Sequence, residues 1–525
     1  MDSTEIITRI KNKFPDFNPL SCVQDHRDET AIKVEPRIFK DTCLALHKIL
    51  LSPVMMLFAL DERKERGVFV INSVFVDYKN SRWIIVSVDI PQGNPCFDSL
   101  AKSIYSASLF EREIWEMFGI EPKGNPDLRR LRLHDEVWPK GNYPLRKDFH
   151  KMQAGDLSEY KFGRVEGDGI FEVPVGPVHA GIIGPGHFRF SVAGEPIINL
   201  EGRLGFTHRG VEKLFEGKSC VDAIRLSECV SGDSGFAHSL SLAQAAEKIC
   251  GVKIPVQAAY LRAIFLELER MHNHVNDAGG IAVDVGFSFP AAYASIIKEA
   301  ILQLNEKLTG NRYLRKVNVV GGVLAEIDER KKQLLLDSLK KIKKDFNELV
   351  KILSSSVSFM DRVDTAGVLL RKTAEDLGVT GLAARASGIP VDLRKYFPGV
   401  YKEAKFKMAT QESGDVLARL RVRISEFEES CRLIEEFTEK LSQGEKSIVD
   451  SELKAGSALG YAEGWRGPVL YWLKIDPQGL IERCKVVDPS FLNWQGLSYA
   501  VLGNIIPDFP LCNKSFDLSY SGNDL

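Results

Sequence analysis

Nine cysteines, at positions 22, 43, 96, 220, 229, 250, 431, 484 and 512, have the widest metal and redox chemistry open to them in this sequence. Thiolates with two residues between them grip zinc or an iron–sulfur cluster, yet none of the nine forms a Cys-x-x-Cys pair. Scattered singly, they read as reduced thiols, mostly small buried hydrophobes. His272 and His274 stand two apart on a helical stretch, so they face different directions and read as core rather than a metal pair. His208 and Arg209 precede a helix beginning near Gly210, where a histidine either carries a proton near neutrality or caps and packs. Arg466, in Glu463-Gly-Trp-Arg-Gly467, suits a bidentate contact with a carboxylate or carbonyl, or else an internal salt bridge. No Gly-x-Gly-x-x-Gly follows a strand, so no dinucleotide site is legible.

These residues must be held by at least two folded units, because 525 residues exceed one ordinary core. Residues 1–150 read as a small α/β domain: Gly67–Val76 and Arg82–Ile90 as paired strands across a polar turn, and Ser99–Met117 as a helix. Gly119–Phe149, dense in Pro, Gly, Arg and Asp, reads as a partner-binding or inter-domain extension. A linker at 151–168 leads to a second domain at 169–525. That domain opens with short strands at Ile170–Val175, His187–Val192 and Glu195–Leu200. Helical periodicity then dominates: Val256–Asn276, Ala291–Leu308, Glu326–Ser354 and Gly414–Leu441. The fold class is therefore α+β, a small α/β domain followed by a helical bundle with appended strands. The tail from Pro507 to Leu525 reads as tucked in.

Bulk properties narrow the function classes. With 44% hydrophobic and 27% charged residues and a net charge of -2, the composition is that of a soluble globular protein with no pull toward nucleic acid. No window approaches the roughly 20 apolar residues of a membrane helix. Acids and lysines through Met1–Phe14 argue against a secretory leader.

Two series of motifs then resemble known families. Glu111-Arg-Glu-Ile-Trp-Glu-Met-Phe-Gly-Ile120, Asn125-Pro-Asp-Leu-Arg-Arg130 and Pro144-Leu-Arg-Lys-Asp-Phe149 resemble the 30 kDa subunit of respiratory complex I in order and spacing. Gly176-Pro-Val-His179, Pro185-Gly-His-Phe188, His208-Arg-Gly-Val-Glu-Lys213, Glu267-Leu-Glu-Arg-Met-His-Asn-His274, Gly321-Gly-Val323, Arg385-Ala-Ser-Gly388 and Gly414-Asp-Val416 are similar to the 49 kDa subunit. They are also similar to the large subunit of membrane-bound, group 4 nickel–iron hydrogenases. The fused order resembles the formate hydrogenlyase large-subunit type.

The resemblance implies a metal site that this sequence has lost. The hydrogenases bind nickel and iron through two Cys-x-x-Cys pairs. At the front motif this chain reads Cys229-Val-Ser-Gly-Asp-Ser-Gly-Phe-Ala-His-Ser239, with Ser231 and Ser234 in the ligand places. At the second it reads Asp517-Leu-Ser-Tyr-Ser-Gly-Asn523, with Ser519 and Gly522 there. Hydroxyls are harder and far less acidic than thiols, so no metal is expected. Cys229 is expected to be a buried or half-exposed structural thiol, and Trp465 to fill part of the old cavity.

By resemblance, Arg466 and His208 are the catalytic candidates, and His179, His187 and His238 the quinone-pocket candidates. Arg129, Arg130, Arg146 and Arg209 are expected at a partner interface. The headgroup tyrosine of complex I aligns with Leu242, and the quinone histidine has no certain equivalent. The implied role is a core subunit of a complex I/hydrogenase-related oxidoreductase with no hydrogen chemistry, active within its assembly and coupling electron transfer to ion translocation. The chain itself is expected to bind no cofactor, with quinone a possibility. A four-iron, four-sulfur cluster would sit on an iron–sulfur small subunit, beside membrane ion-translocating subunits. The implied location is cytoplasmic, peripheral on the inner face of the membrane. A quinone-reducing, C/D-type component of complex I and a non-catalytic scaffold remain open as alternatives.

Overall fold

The computed structural model describes residues 3–15, 17–180, 183–442, 444–447 and 454–525. The N-terminal half is built on a five-stranded sheet of β1 (Ser21–His26), β2 (Glu29–Val34), β3 (Met56–Glu62), β4 (Val68–Asp77) and β5 (Arg82–Pro91), in the order β1-β2-β5-β4-β3. β4 and β5 are the expected hairpin, with Val74 opposite Ile85. Asp77 closes its turn by accepting the Asn80 N–H. β4 is buried on both faces, which suits its run of Val, Ile and Phe.

The next helix is shorter than its periodicity suggests, running Ser108–Phe118 rather than from Ser99. The buried Glu111 carboxylate accepts from the Leu100 N–H and the Ser99 hydroxyl, both at 2.6 Å, and ties the preceding segment into turns. The turn-rich segment after Gly119 crosses to the other half: Arg132 pairs with Glu113 at 2.9 Å and donates to the Asn523 carbonyl at 2.9 Å. Residues 151–166 form neither helix nor strand.

The second half opens with an antiparallel sheet of Ile170–Val175, His187–Ala193 and Ile197–Arg203. The bundle follows, with helices Gly235–Cys250, Val256–Asp284, Ser288–Thr309, Glu329–Ser355 and Val416–Lys440. The 256–284 helix lies at its centre, packed on its neighbours 288–309 and 416–440, and it runs eight residues past the expected Asn276. The tail is tucked in, with Leu525 buried. No helix among the described residues is long and apolar enough to cross a membrane.

A three-stranded meander, Gly456–Glu463, Pro468–Ile475 and Ile481–Val487, joins the halves. Alternation of side chains across a strand explains how. Leu470 and Trp472 enter the N-terminal core with Phe58 and Phe110, whereas Val469, Tyr471 and Leu473 enter the bundle core. Gly460 lets the 235–250 helix lie flush on this sheet, since a Cβ there would stand 1.9 Å from the Ser241 carbonyl oxygen.

The N-terminal face of the meander carries a buried lysine. Lys485 is fully buried between Glu113 of the 108–118 helix and Glu212, whose carboxylate also pairs with Arg483 at 2.7 Å. Lys485→Met should leave two carboxylates short of a cation and cost about 3–5 kcal/mol. The denaturant midpoint of the full chain measures this, and an unchanged midpoint would remove Lys485 as the pin between the halves.

Candidate functional site

The loop before the 235–250 helix and the C-terminal tail bring the four ligand-position residues into one hydrogen-bonded chain. Ser231 Oγ is hydrogen-bonded to Ser519 Oγ at 2.8 Å, and Ser519 Oγ accepts the Gly522 N–H at 2.9 Å. Ser231 and Ser234 both lie within hydrogen-bond reach of Asp233 Oδ1, at 2.9 and 3.2 Å. Asp233 faces Arg466 in a two-point ion pair, Nη1 to Oδ1 and Nη2 to Oδ2, each 2.7 Å.

The meander turn that carries Arg466 is fixed from behind. Gly381 (φ +63°) approaches so closely that a Cβ would lie 2.0 Å from the Arg466 carbonyl oxygen. The guanidinium is almost wholly buried, lies 3.8 Å from the centre of the Trp465 ring, and also donates to the Asp517 carbonyl. Trp465 donates in turn to the Asp233 carbonyl at 3.2 Å. Burial works against the Asp233 charge, but Arg466 and the two serine hydroxyls outweigh it and hold the carboxyl well below its usual range.

A second relay stands beside the first. His238 is fully buried, with Nδ1 sharing a hydrogen bond with the Tyr471 hydroxyl at 2.9 Å and Nε2 one with Asp488 at 3.1 Å. Asp488 also caps the Pro489–Ala500 helix through the Ser490 N–H. Glu269 accepts the Phe236 and Ala237 N–H groups at the start of the 235–250 helix, and burial pushes its carboxyl up to about 8. On the other side, burial and the neighbouring Asp517 charge push Asp277 up, while Lys514 and Arg466 hold Asp517 down against burial.

The expected site residues do not all converge. Arg466 is central. His208 is bonded to the Asp524 carbonyl at 2.8 Å, and burial depresses its basicity. His238 lies behind Asp488, whereas His179 and His187 lie along the 176–187 loop, bonded to the Gly186 and Gly176 carbonyls. His187 Nε2 is buried without a partner among the described residues, and burial lowers its basicity. Arg209 holds the Cys229 and Val230 carbonyls at 2.9 and 3.0 Å. Arg129 pairs with Asp127 and Glu201, Arg130 donates to the Trp138 carbonyl, and Arg146 donates to the Phe118 carbonyl. Cys229 is exposed rather than buried, because its short loop turns the thiol outward. His272 and His274 are both buried core residues, as their spacing suggests. Asp233, Asp488, Tyr471 and Glu269 were not singled out by sequence. Only Asp233 left a trace in the sequence, as a carboxylate between the two serines of the front motif, and its arginine partner is not readable there.

Residues 32–154 match the respiratory-chain NADH dehydrogenase 30 kDa subunit family and residues 284–457 the 49 kDa subunit family. Formate hydrogenlyase subunit 5 of Escherichia coli is 33% identical over 479 residues, covering 89% of this chain and 84% of its own length. The chain belongs to this family of fused complex I and hydrogenase large subunits. Another member, the C/D polypeptide of the NADH-quinone oxidoreductase of Methylococcus capsulatus, is 25% identical over 92% of both chains. The fold is shared with a chain of the membrane-bound sulfane sulfur reductase, an archaeal respiratory membrane complex, at a TM-score of 0.64 and 24% identity. That match covers 68% of this chain and 98% of the other.

The nickel–iron centre that the sequence resemblance implies would find a poor donor set here. Its donors would be three hydroxyls already hydrogen-bonded to one another and to Asp233, plus a glycine with no side chain. A Cβ on Gly522 would lie 2.6 Å from the Asp488 carboxylate. Gly522→Ala should therefore push Asp488 off His238 and cost about 1–3 kcal/mol. Thermal unfolding of the full chain checks this, and an unaltered melting temperature would show that the contact yields freely.

Proposed function

We propose that this chain is a core subunit of a membrane-attached, complex I/hydrogenase-related oxidoreductase that carries out no hydrogen chemistry. The carrying observation is the Asp233–Arg466 pair, laced to Ser231 and Ser234 where hydrogenase members have thiolates. In this reading the pocket holds and orients protons instead of a metal. Asp233, Asp517 and Asp488 surround one guanidinium, and His238 connects Asp488 to Tyr471. Electrons run through a four-iron, four-sulfur cluster on an iron–sulfur small subunit, and membrane subunits translocate ions. The chain sits peripherally on the inner face of the membrane. The relatives' names support the assembly: a part of a hydrogenlyase, a part of a quinone oxidoreductase and a respiratory membrane complex.

A quinone-reducing role is the second reading, favoured by the match to the 49 kDa family. Against it, both His238 nitrogens are engaged, and the headgroup tyrosine is replaced by the fully buried Leu242. Reduction of a quinone needs a proton donor at its oxygens.

The test is the native, untagged complex, assayed for metal content, for hydrogen evolution with a reduced viologen, and for electron flow with and without a quinone-site inhibitor. Turnover without nickel, without hydrogen and insensitive to the inhibitor is the expected result. Stoichiometric nickel or hydrogen evolution would overturn the proposal. Strong inhibition would transfer it to the quinone reading, and no turnover at all would leave a scaffold.

A further inference from the structure

The strand that leads to Arg466 ends at Glu463, which belongs to a separate and wholly buried ionic cluster. Four carboxylates, Glu267, Asp392, Glu426 and Glu463, meet three guanidiniums, Arg270, Arg385 and Arg394, and none is more than 3% exposed. Arg270 pairs with Glu267 at 3.1 Å and Glu426 at 3.3 Å. Arg385 pairs with Glu426 at 2.7 Å, Glu463 at 2.9 Å and Asp392 at 3.4 Å. Arg394 pairs with Asp392 at 2.7 Å and Glu267 at 3.1 Å. Among the described residues, the other groups hydrogen-bonded to these carboxylates carry no positive charge. The Tyr401 and Ser430 hydroxyls donate to Glu267, and the Leu393 N–H donates to Glu463. His274 bonds Glu426, and burial drops its value to about 4, so it is neutral.

Three cations therefore stand against four acids in a space with no water-facing side chain. A buried unmatched charge is unstable, so near neutrality one carboxyl keeps its proton. The arrangement singles out Glu463. Against the pull of burial, Arg394 and Arg270 hold Glu267 down to about 2, and Arg385 and His274 hold Glu426 well below the usual carboxylate range. Burial and the neighbouring Asp392 push Glu463 up to about 7, because Arg385 is shared among three acids.

The cluster is walled off on one side by a cleft of about 810 Å³ between the two halves of the molecule. His47, Tyr78 and Ile104 line it from the N-terminal half, and Thr380, Val391 and Tyr396 from the other. The wall is one residue thick at Val391, whose carbonyl accepts from Arg385 at 3.0 Å. Tyr78 sits against Tyr396, ring centres 4.9 Å apart, and burial together with the Glu463 charge raises its hydroxyl. The Thr380 hydroxyl, at the head of the short helix bearing Arg385, is buried with no partner among the described residues. Polar handles for water thus run from the cleft toward Glu463.

We propose that Glu463 is a single-proton store, filled and emptied through the cleft between the two halves, past Tyr78. Loading forms one O–H bond on the Glu463 carboxyl as a cleft water chain delivers a proton. The cluster passes from net negative to neutral, and no electron moves. The inference does not depend on the fate of the metal site, so nickel in the native complex would leave it standing.

The sign of the pH effect follows. A carboxyl whose folded value lies above its unfolded one makes the protein progressively less stable as pH rises from about 4.5 to about 7, with no further loss above. In the full chain, Glu463→Gln should flatten that segment of the melting-temperature profile. It should also delete one protonated-carboxyl infrared band that titrates near pH 7, visible as wild type minus variant against the other buried acids. Glu463→Asp, which keeps the charge count, should move the band's midpoint instead. Ile389→Trp, placed in the cleft with every charge intact, should leave the midpoint alone but slow deuterium exchange of the band about tenfold. Identical infrared titrations for wild type, Gln and Asp variants would overturn the store, and unslowed exchange in Ile389→Trp would overturn the inlet.

Discussion

A guanidinium taken out of water needs an acceptor for each of its N–H groups, and at Arg466 the 231–234 loop and the C-terminal tail supply them. The meander turn aims it, Gly381 makes room behind the turn, Trp465 covers its face, and Asp233 answers both of its terminal nitrogens. Asp233 in turn needs the Ser231 and Ser234 hydroxyls, and Ser231 passes the constraint to the C-terminal tail through Ser519. Serine suits this use better than cysteine because a neutral hydroxyl both donates and accepts at under 3 Å. The same four positions that could hold a soft metal as thiolates hold two chain segments together without one.

The meander explains why the two halves act as one object. Its residues alternate between two cores, so neither half can complete its packing without it. Lys485 on one face and Arg270, which holds the Glu463 and Gly464 carbonyls, on the other fix the sheet by charge as well as by shape. A displacement of the 108–118 helix is therefore felt at Glu212, through Lys485, and at Asn523 of the tail, through Arg132.

Much of the fold was legible in the sequence, because hydrophobic period and turn residues report local structure directly. The 170–175 strand, the β4–β5 hairpin and the four long bundle helices lie where their patterns put them, within a few residues except for the last two turns of the central helix. Misses arose where tertiary partners override local preference. Ser99–Ala107 has helical periodicity, but the Glu111 carboxylate captures its donors, and a buried acid cannot forgo them. The meander was invisible because both of its faces are buried, which removes the polar alternation that marks a half-exposed strand. At the site, the substituted ligand positions were readable by motif. What replaced the metal was not, since Asp233 gains meaning only when Arg466, 233 residues away, arrives beside it.

Charge arithmetic makes the same point at larger scale. Four acids and three arginines drawn from five separated stretches of chain cannot be counted as a set until the fold gathers them. Once gathered, their imbalance follows from electrostatics alone: a low-dielectric interior tolerates matched pairs and penalises a remainder. The remainder here is a proton-binding carboxyl at the end of the strand that leads to Arg466, and two residues of loop separate it from that arginine. One short backbone segment thus has a titratable cluster at one end and, at the other, a guanidinium held by Asp233 and Asp517. That link depends on where the meander turns and not on what the serine positions hold.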